Sequence, residues 1–362
     1  MFEIEARPQA SQVMRYLSPI IAAALTAFCG LVFSAAIGLD PLAAFHAFFI
    51  APIDDLYGLG ELGVKAAPLM LIATGLAIGF RANIWNIGAE GQLTFGAICG
   101  GGLALYYYDS ESAWLLPAII VAGTLGGMAW AAVPAFLRTR FNTNEILVSL
   151  MLNYVAVLFL SYLVHGPWRD PEGFNFPESR LFPDAAILPV IFDDTRLHLG
   201  LLIALVVVAL GWVFVRKSFI GYQMRVAGLA DVAALYAGFD RKRMIWIGLL
   251  AGGAAAGIAG LCEVAGPIGQ LLPSVSPGYG YAAIIVAFVG RLHPFGILLA
   301  SLLMSLLYLG GESAQMELGL PSAVTGVFQG VLLFFLLATD LFINFRVRLA
   351  AGASLATGEA AP

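Results

Sequence analysis

Apolar runs separated by short polar stretches make up most of the chain. Several runs reach about 18 residues, which at about 1.5 Å of rise per residue is enough to cross a hydrocarbon core of roughly 30 Å. The pattern therefore predicts an all-α integral membrane protein with about ten transmembrane helices. The predicted spans lie near 17–39, 66–80, 93–108, 114–136, 146–164, 199–215, 244–262, 281–290, 294–310 and 323–343.

Two of these spans are unusual because they are short. The apolar runs at 66–80 and 281–290 do not cross a bilayer alone, so each must be tilted, continued by less apolar residues, or broken inside the protein. Short or interrupted spans are typical of transport sites.

Composition and charge agree with a membrane protein and predict its orientation. Of 362 residues, 60% are hydrophobic and 11% are charged, whereas soluble domains have roughly 45–50% apolar and about 25% charged residues. When both ends are placed in the cytoplasm, most of the 18 Lys and Arg residues lie on the cytoplasmic side. The net charge of −5 suggests no nucleic-acid partner.

The orientation predicts the following organisation of the chain. A cytoplasmic segment, 1–16, precedes a transmembrane domain, 17–343, and a cytoplasmic tail, 344–362, follows it. Two long polar segments interrupt the domain: an outer loop at 165–198 and an inner segment at 216–243.

Several kinds of chemistry are not indicated by the sequence. The nucleotide-binding pattern GxxxxGK[ST] does not occur, since none of the lysines follows a glycine. The histidines and cysteines have no metal-ligand spacing, so we predict no metal site and no catalytic residue. The histidines are His46, His165, His198 and His293, and the cysteines are Cys29, Cys99 and Cys262.

The most informative polar stretch is FRANIWNIGAEGQ at residues 80–92. Lipid does not tolerate this density of polar side chains unless protein or water faces it, so part of the stretch should line an interior path. The candidate path residues are Asn83, Trp85, Asn86, Glu90 and Gln92. A structural alternative is that Asn86 is a helix N-cap and Glu90 lies in the following first turn.

Two further residues are candidates for the same path. Asn153 lies in mid-span and either bonds to a neighbouring helix or faces a cavity. Gln270 lies in a second polar stretch, 263–271, whose Gly-Gln-Leu repeats the Gly-Gln-Leu at 91–93. A true match between these stretches would indicate an inverted repeat.

The inner segment 216–243 has the sequence RKSFIGYQMRVAGLADVAALYAGFDRKR. Its apolar residues have the spacing of one helix face. They are Val226, Leu229, Val232, Ala233 and Tyr236. The pattern is consistent with an amphipathic helix on the membrane surface and equally with a docking helix for a cytoplasmic partner.

Three ordered motifs resemble a known family. FRANIWNIGAEGQLTFGA, NTNEILVSLMLNYVA and GYAAIIVAFVGRLHPFGILLASLL are similar to motifs in the permeases of ABC importers of the ribose and branched-chain amino-acid class. The chain is most similar to the nucleoside or simple-sugar branch, from about Leu62 to Phe342. It differs in having Ala-Asn-Ile-Trp at 82–85 where Ala-Gly-Leu-Phe is usual.

The resemblance implies a type II ABC importer permease in a bacterial inner membrane. It implies a cytoplasmic ATPase that holds the ATP and Mg, so this chain needs no cofactor of its own. It also implies a second permease, related but different, and a periplasmic or lipoprotein substrate-binding protein. The stretch GYQMRVAGLADVAALYAGF matches the family's coupling region, which makes these residues candidates for ATPase contact: Gly221, Arg225, Gly228, Ala233, Ala234 and Gly238.

The leading functional prediction is that the chain forms a translocation path for a small polar solute. Nucleosides are the leading substrate class. The asparagines and Gln92 are expected to bond to the sugar, and Trp85 to stack on the base. The alternatives are a simple sugar of the ribose or galactose type and an autonomous secondary transporter. An intramembrane enzyme is not favoured, because no convergent catalytic group is visible in the sequence.

Overall fold

A computed structural model gives the fold and describes residues 2–7, 11–321 and 323–349. The described residues form thirteen α-helices and two short strands. The helices are α1 (Gln12–Ala36), α2 (Pro41–Phe49), α3 (Leu56–Phe80), α4 (Ala89–Tyr106), α5 (Leu115–Phe141), α6 (Glu145–His165), α7 (Gly200–Lys217), α8 (Phe219–Leu229), α9 (Asp231–Tyr236), α10 (Arg241–Glu263), α11 (Tyr279–Val289), α12 (Pro294–Leu318) and α13 (Ala323–Asn344). The strands are β1 (Phe2–Ala6) and β2 (Phe345–Leu349).

The predicted α-helical membrane fold is confirmed, since every predicted span falls on a helix. Within the described residues, eight segments are long and apolar enough to cross a membrane. They are Leu17–Ala36, Leu56–Phe80, Leu115–Phe141, Glu145–His165, Gly200–Lys217, Arg241–Ile268, Pro294–Leu318 and Gly326–Ile343. α4 has 18 residues but a polar first turn. α11 has 11 residues and covers about half of a hydrocarbon core.

The span predicted at 66–80 is longer than the apolar run suggested. α3 has 25 residues, because two charged residues in its first half continue the helix instead of ending it. Glu61 accepts a 2.8 Å hydrogen bond from Nε of Arg196, and Nζ of Lys65 lies 2.8 Å from Oε1 of Glu312. Pairing offsets the cost of placing these charges near the apolar core.

The chain divides into two compact units. The first combines Met1–Phe45 with Pro321–Pro362. In it α1 packs against α13, and β1 pairs antiparallel with β2. The sequence did not predict these strands within the segments 1–16 and 344–362, which it places in the cytoplasm. Residues 350–362 of the predicted tail lie outside the described residues.

The second unit, His46–Leu320, has α10 at its centre, packed against α3, α4 and α5. Glycines allow these helices to approach closely. Gly257 of α10 lies against the backbone of Gly123 and Gly127, and Gly96 lies against Gly257. A side chain at Gly96, Gly127 or Gly257 would collide with backbone. Close contact through small residues is the usual packing of helices in lipid.

The segment between α6 and α7, residues 166–199, forms an ordered cap on the chain that follows α10. Its Leu188 N–H donates to the Ala265 carbonyl at 2.7 Å, and its Phe182 N–H donates to the Gly269 carbonyl at 2.8 Å. Residues 264–268 form a single π-helical turn at the end of α10. The polar stretch 263–271 is therefore held by the cap.

Candidate functional site

The connection between α3 and α4, residues 81–88, is buried or half-buried in the second unit except at Asn83. Asn83 has φ +55°, a left-handed conformation that asparagine adopts more readily than most residues. This bend lets the Ile84 N–H donate back to the Gly79 carbonyl at 3.1 Å. The side chain of Asn83 is exposed and donates to the Gly228 carbonyl at 3.0 Å. Asn83, a predicted path residue, thus bonds to the inner segment 216–243.

Asn86 and Gln92 bond to each other. Nδ2 of Asn86 donates to Oε1 of Gln92 at 2.9 Å, and Nε2 of Gln92 donates to Oδ1 of Asn86 at 3.0 Å. Oδ1 of Asn86 also accepts the Gly88 N–H at 3.0 Å, while the N-cap position itself is Gly88. Both side chains are at most 2% exposed, so the pair is satisfied within the chain and shapes the start of α4.

Glu90 lies in the first turn of α4 and bonds to a different helix. Its Oε2 accepts the Gly280 N–H at 2.7 Å, which is one of the N–H groups left unpaired at the start of α11. Gly280 packs so closely on the backbone of Glu90 that a Cβ there would overlap it. The N-terminal ends of α4 and α11 therefore meet, and the buried carboxylate lies between them.

Asn153 on α6 ties the same two helix ends together. Its Oδ1 accepts the Gly91 N–H at 2.9 Å, and its Nδ2 donates to the Ile87 carbonyl at 3.0 Å and to the Tyr281 hydroxyl at 3.1 Å. Asn153 is 2% exposed. Of the two interpretations of this mid-span asparagine, the contacts match a bond to neighbouring helices.

We call Glu90, Gly91, Asn153, Gly280 and Tyr281 the polar junction. Two helix N-termini point into it, and their N–H groups and dipoles favour electronegative atoms there. Tyr281 is 40% exposed, so it is the least buried residue of the junction. Gly280 and Tyr281 were not among the residues predicted from sequence, although a glycine and a tyrosine at the start of a short apolar span are a detectable signal.

Trp85 stacks within the chain. Its ring centroid lies 5.2 Å from that of Phe80 and 5.7 Å from that of Phe288, and its plane is within 21° of the Phe288 plane. The side chain is half-buried. Part of the aromatic surface predicted to stack on a solute is therefore used to hold α3 and α11 together.

Gln270 is not part of the polar junction. Its Nε2 donates to Oε2 of Glu178 in the 166–199 segment at 3.1 Å. Its neighbour Leu271 donates its N–H to Oγ of Ser179 at 2.9 Å. The structure thus places Gln270 against the cap instead of beside the other predicted path residues.

The inner segment forms two short helices instead of one continuous helix. α8 and α9 meet at Ala230, whose φ of −153° breaks the helical path. Three of the apolar residues assigned to one helix face are strongly exposed: Leu229, Val232 and Tyr236 are 80%, 66% and 90% exposed. Much of the predicted face is therefore exposed apolar surface on both sides of the break.

The six predicted ATPase-contact residues fall into two groups. Arg225, Ala233 and Gly238 are exposed. Gly221 and Ala234 are buried, and Gly228 packs on the backbone carbonyl of Arg81. The second group therefore shapes the segment from inside, and the first group belongs to its surface.

Guanidinium groups gather where the inner segment meets the α3–α4 connection. Burial, Arg225 and Arg216 lower the pKa of Arg81. Burial, Arg216 and Arg81 lower the pKa of His293, whose Nε2 lies 3.3 Å from a guanidinium nitrogen of Arg216. This end of the unit is strongly basic.

His198, in the 166–199 segment, is held in its neutral form. Burial lowers its pKa to about 4, and its Nδ1 accepts the Gly200 N–H at 3.1 Å. Its Nε2 faces Gly266 in the π-helical turn. In the part of the chain that the structure describes, no three His, Cys, Asp or Glu side chains are grouped for metal binding.

Comparison with known proteins places these features in a family. Residues 59–337 match the model of the family described as the permease component of the branched-chain amino acid transport system. This range includes the polar junction and the inner segment.

Curated relatives match almost end to end. A glucose ABC transporter permease protein of Haloferax volcanii is 33% identical over 360 residues, which cover 96% of this chain and 94% of the relative. A guanosine ABC transporter permease protein of Bacillus subtilis is 29% identical, covering 91% of this chain and 94% of the relative. A nucleoside ABC transporter permease protein of Lactococcus lactis subsp. cremoris is 25% identical, covering 90% of this chain and 92% of the relative.

Proposed function

The chain belongs to the family of permease components of branched-chain amino acid transport systems, and from this membership we propose that it forms the translocation path of an ATP-binding-cassette importer for nucleosides. It is a multi-pass membrane permease subunit. The importer contains a second permease, related but different, a cytoplasmic ATPase that binds ATP and Mg, and an outer substrate-binding protein.

The polar junction is the observation that carries this proposal. Two helix N-termini meeting inside membrane-spanning structure are the arrangement that transporters use to hold polar groups at mid-membrane. Because Asn86, Gln92 and Asn153 are already satisfied within the chain, we assign them to shaping the path. The solute then meets Tyr281 and the remaining surface of Trp85, which supports a weak internal site.

Nucleosides suit such a site because they combine sugar hydroxyls with a flat base. The Tyr281 hydroxyl supplies a hydrogen bond to the former, and exposed aromatic surface supplies stacking for the latter. The guanosine and nucleoside permeases among the relatives support this substrate class. The glucose permease from Haloferax volcanii favours a simple sugar as the second candidate.

We assign the ATPase contact to the exposed surface of α8 and α9. Leu229, Val232 and Tyr236 expose apolar surface there, and exposed apolar patches commonly mark protein interfaces. Arg225 is exposed on the same segment. This proposal selects docking over the alternative of a helix lying on the membrane surface.

We further propose that the chain lies in the inner membrane of a bacterial cell and that both of its ends face the cytoplasm. The basic cluster of Arg81, Arg216 and Arg225 then lies on the cytoplasmic side, in agreement with the excess of Lys and Arg on that side of membrane proteins. The 166–199 segment then faces the binding protein.

Uptake by proteoliposomes tests the substrate and the energy source together. The permease pair and ATPase are reconstituted with the binding protein, and uptake of labelled guanosine is measured with competing adenosine, glucose or ribose. Competition by adenosine alone supports the proposal, whereas stronger competition by either sugar selects the sugar alternative. Uptake that persists with a hydrolysis-deficient ATPase would contradict an ATP-driven importer.

A pair of matched variants tests the docking surface. Tyr236 and Phe174 are exposed aromatic residues, at 90% and 93%, on the inner segment and on the 166–199 segment. We expect Tyr236→Ala to reduce co-purification of the ATPase and Phe174→Ala to leave it unchanged. Equal retention of the ATPase by both variants contradicts this docking site.

A further inference from the structure

We propose that Arg81 and Asn83 are positioning residues that transmit movement of the inner segment to both ends of α11 and to the first turn of α4. The inference rests on the proposed function, because it takes α8 and α9 as the ATPase contact. We call Arg81, Asn83, Gly228 and Leu292 the inner latch.

The first half of the inner latch joins α8 to the α3–α4 connection. Gly228, near the end of α8, packs directly on the Arg81 carbonyl, and any side chain at 228 would overlap that backbone. The Gly228 carbonyl accepts the 3.0 Å hydrogen bond from Asn83. The two contacts hold backbone against backbone, so α8 does not shift without displacing residues 81–83.

The second half of the inner latch joins the same connection to α11. Nε of Arg81 donates to the Leu292 carbonyl at 3.1 Å, and its terminal nitrogen also bonds to that oxygen. The Leu292 N–H bonds back to the Ala287 carbonyl at 2.8 Å, which fixes the turn to the end of α11. Arg81 thereby holds the C-terminal end of α11.

The other end of α11 is held by the far side of the same connection. Residues 81–88 lead into α4, where Glu90 bonds the Gly280 N–H. The Asn86–Gln92 pair and the bond from the Ile87 N–H to Oγ of Ser149 at 3.3 Å keep this stretch rigid. Displacement of residues 81–83 therefore reaches both ends of α11 through bonded groups.

Contacts that only stabilise the fold and contacts that transmit movement predict different results. If the contacts only stabilise the fold, weakening them lowers stability and leaves the yield of transport per ATP unchanged. If they transmit movement, weakening them lowers transport per ATP while the ATPase still binds and hydrolyses. The ratio of uptake to hydrolysis is therefore the decisive quantity.

Two substitutions weaken the inner latch, each with a matched control. Asn83→Gly removes the side-chain donor and keeps the left-handed backbone; Asn142→Gly is its control, since Asn142 also has positive φ and an exposed side chain. Gly228→Ala forces α8 off the Arg81 carbonyl; Gly330→Ala is its control, because a Cβ at Gly330 meets no atom within 4 Å.

Uptake and hydrolysis are measured in proteoliposomes that contain the partner ATPase and binding protein. We expect uptake per ATP to fall about threefold to tenfold for Asn83→Gly, the size of one lost hydrogen bond. We expect a fall of roughly tenfold or more for Gly228→Ala, because a close backbone contact is forced apart. The inference is overturned if both variants keep the uptake-to-hydrolysis ratio of their controls.

Hydrogen exchange on the permease alone, in lipid nanodiscs, separates this inference from the proposed function. We expect the amides of residues 87–92 to exchange about fivefold faster in Gly228→Ala than in Gly330→Ala. Equal exchange overturns the inner latch even where the wild-type protein imports nucleosides. Absence of ATP-driven uptake by the wild-type protein would instead contradict the proposed function. The exchange result would still decide whether the contact at Gly228 is coupled to residues 87–92.

Discussion

The two polar breaks in the apolar pattern share the letters Gly-Gln-Leu but differ in structure. At 91–93 these letters form the first turns of a helix, and Gln92 is buried against Asn86. At 269–271 they follow a π-helical turn, where Gly269 has φ +77° and Gln270 bonds to Glu178. The same tripeptide is thus helical in one break and irregular in the other.

The difference lies in what each break holds together. The first break joins two helix N-termini at the polar junction, whereas the second is bonded along its backbone to the cap formed by 166–199. Polar residues in an apolar chain must find partners, but the partners come from the fold. The inverted repeat suggested by the shared letters therefore does not follow from them.

Placing a methyl group at each break should give the largest contrast. Gly280→Ala forces α4 and α11 apart at Glu90, so we expect uptake to be abolished and stability to fall by about 1–3 kcal/mol or more. In Gly269→Ala the new methyl group meets no close backbone atom. The left-handed φ at this position is unfavourable for alanine, however, and costs roughly 1–2 kcal/mol. Uptake assays and thermal unfolding in detergent measure both; equal uptake by the two variants contradicts the contrast.

Removing a hydrogen-bonding side chain from each break is the next test. Glu90→Ala leaves the Gly280 N–H buried without its acceptor, and we expect a loss of about 1–3 kcal/mol in unfolding free energy with uptake at least tenfold lower. Gln270→Ala removes a half-buried contact with Glu178, so its expected loss is below about 1 kcal/mol. Glu90→Gln keeps a hydrogen-bond acceptor, so we expect it to show more uptake than Glu90→Ala. Equal uptake by Glu90→Gln and Glu90→Ala would show that an uncharged acceptor is not sufficient.

Protonation of His198 should weaken the cap of the second break. Burial lowers the pKa of His198 to about 4, against about 6.5 for an ordinary histidine. The unfolded chain therefore binds the proton more readily, and stability present above about pH 6.5 is lost as the pH falls towards 4, by about 2–3 kcal/mol at pH 4.5. Thermal unfolding at pH 7 and pH 4.5 measures the loss.

A matched pair of histidine variants controls for other acid effects. His198→Gln should remove the part of the pH dependence that comes from this histidine, because its imidazole is gone. His165→Gln, at an exposed position, should retain it. Equal pH dependence in the two variants would show that acid acts elsewhere in the chain.

The smallest expected effect concerns the accessible side of the polar junction. Tyr281→Phe removes one hydroxyl while Asn153 keeps its bonds to Gly91 and Ile87. We expect uptake to fall about twofold to tenfold, the range for a single hydrogen bond. The order in which guanosine, adenosine and glucose compete should stay the same if the binding protein selects the substrate. A changed order would show that Tyr281 takes part in selection.

Of the residues predicted from sequence near the first break, some lie at the polar junction and others bond elsewhere in the chain. Glu90 and Asn153 do lie at the junction. Asn83 bonds to Gly228, and Trp85 stacks on Phe80 and Phe288. A polar or aromatic residue signals that it needs a partner, but its neighbours in sequence do not identify that partner.

The extent of α3 shows the same limit for the spans. The apolar run indicated a short span at 66–80, yet the helix has 25 residues because Glu61 and Lys65 find opposite charges at Arg196 and Glu312. These partners lie far away in the chain. Hydropathy locates a span well but misses charged turns that the fold neutralises.

The sequence by itself determined the class of protein, the positions of its predicted spans along the chain, and the family. It did so because lipid requires long apolar segments with internally satisfied backbones, and this requirement is written locally along the chain. Only the tertiary structure decided that the N-termini of α4 and α11 meet at Glu90, and that 263–271 belongs to the cap. Those contacts depend on the close packing of distant segments and on which buried polar atoms lie within hydrogen-bond distance, and no local pattern contains either.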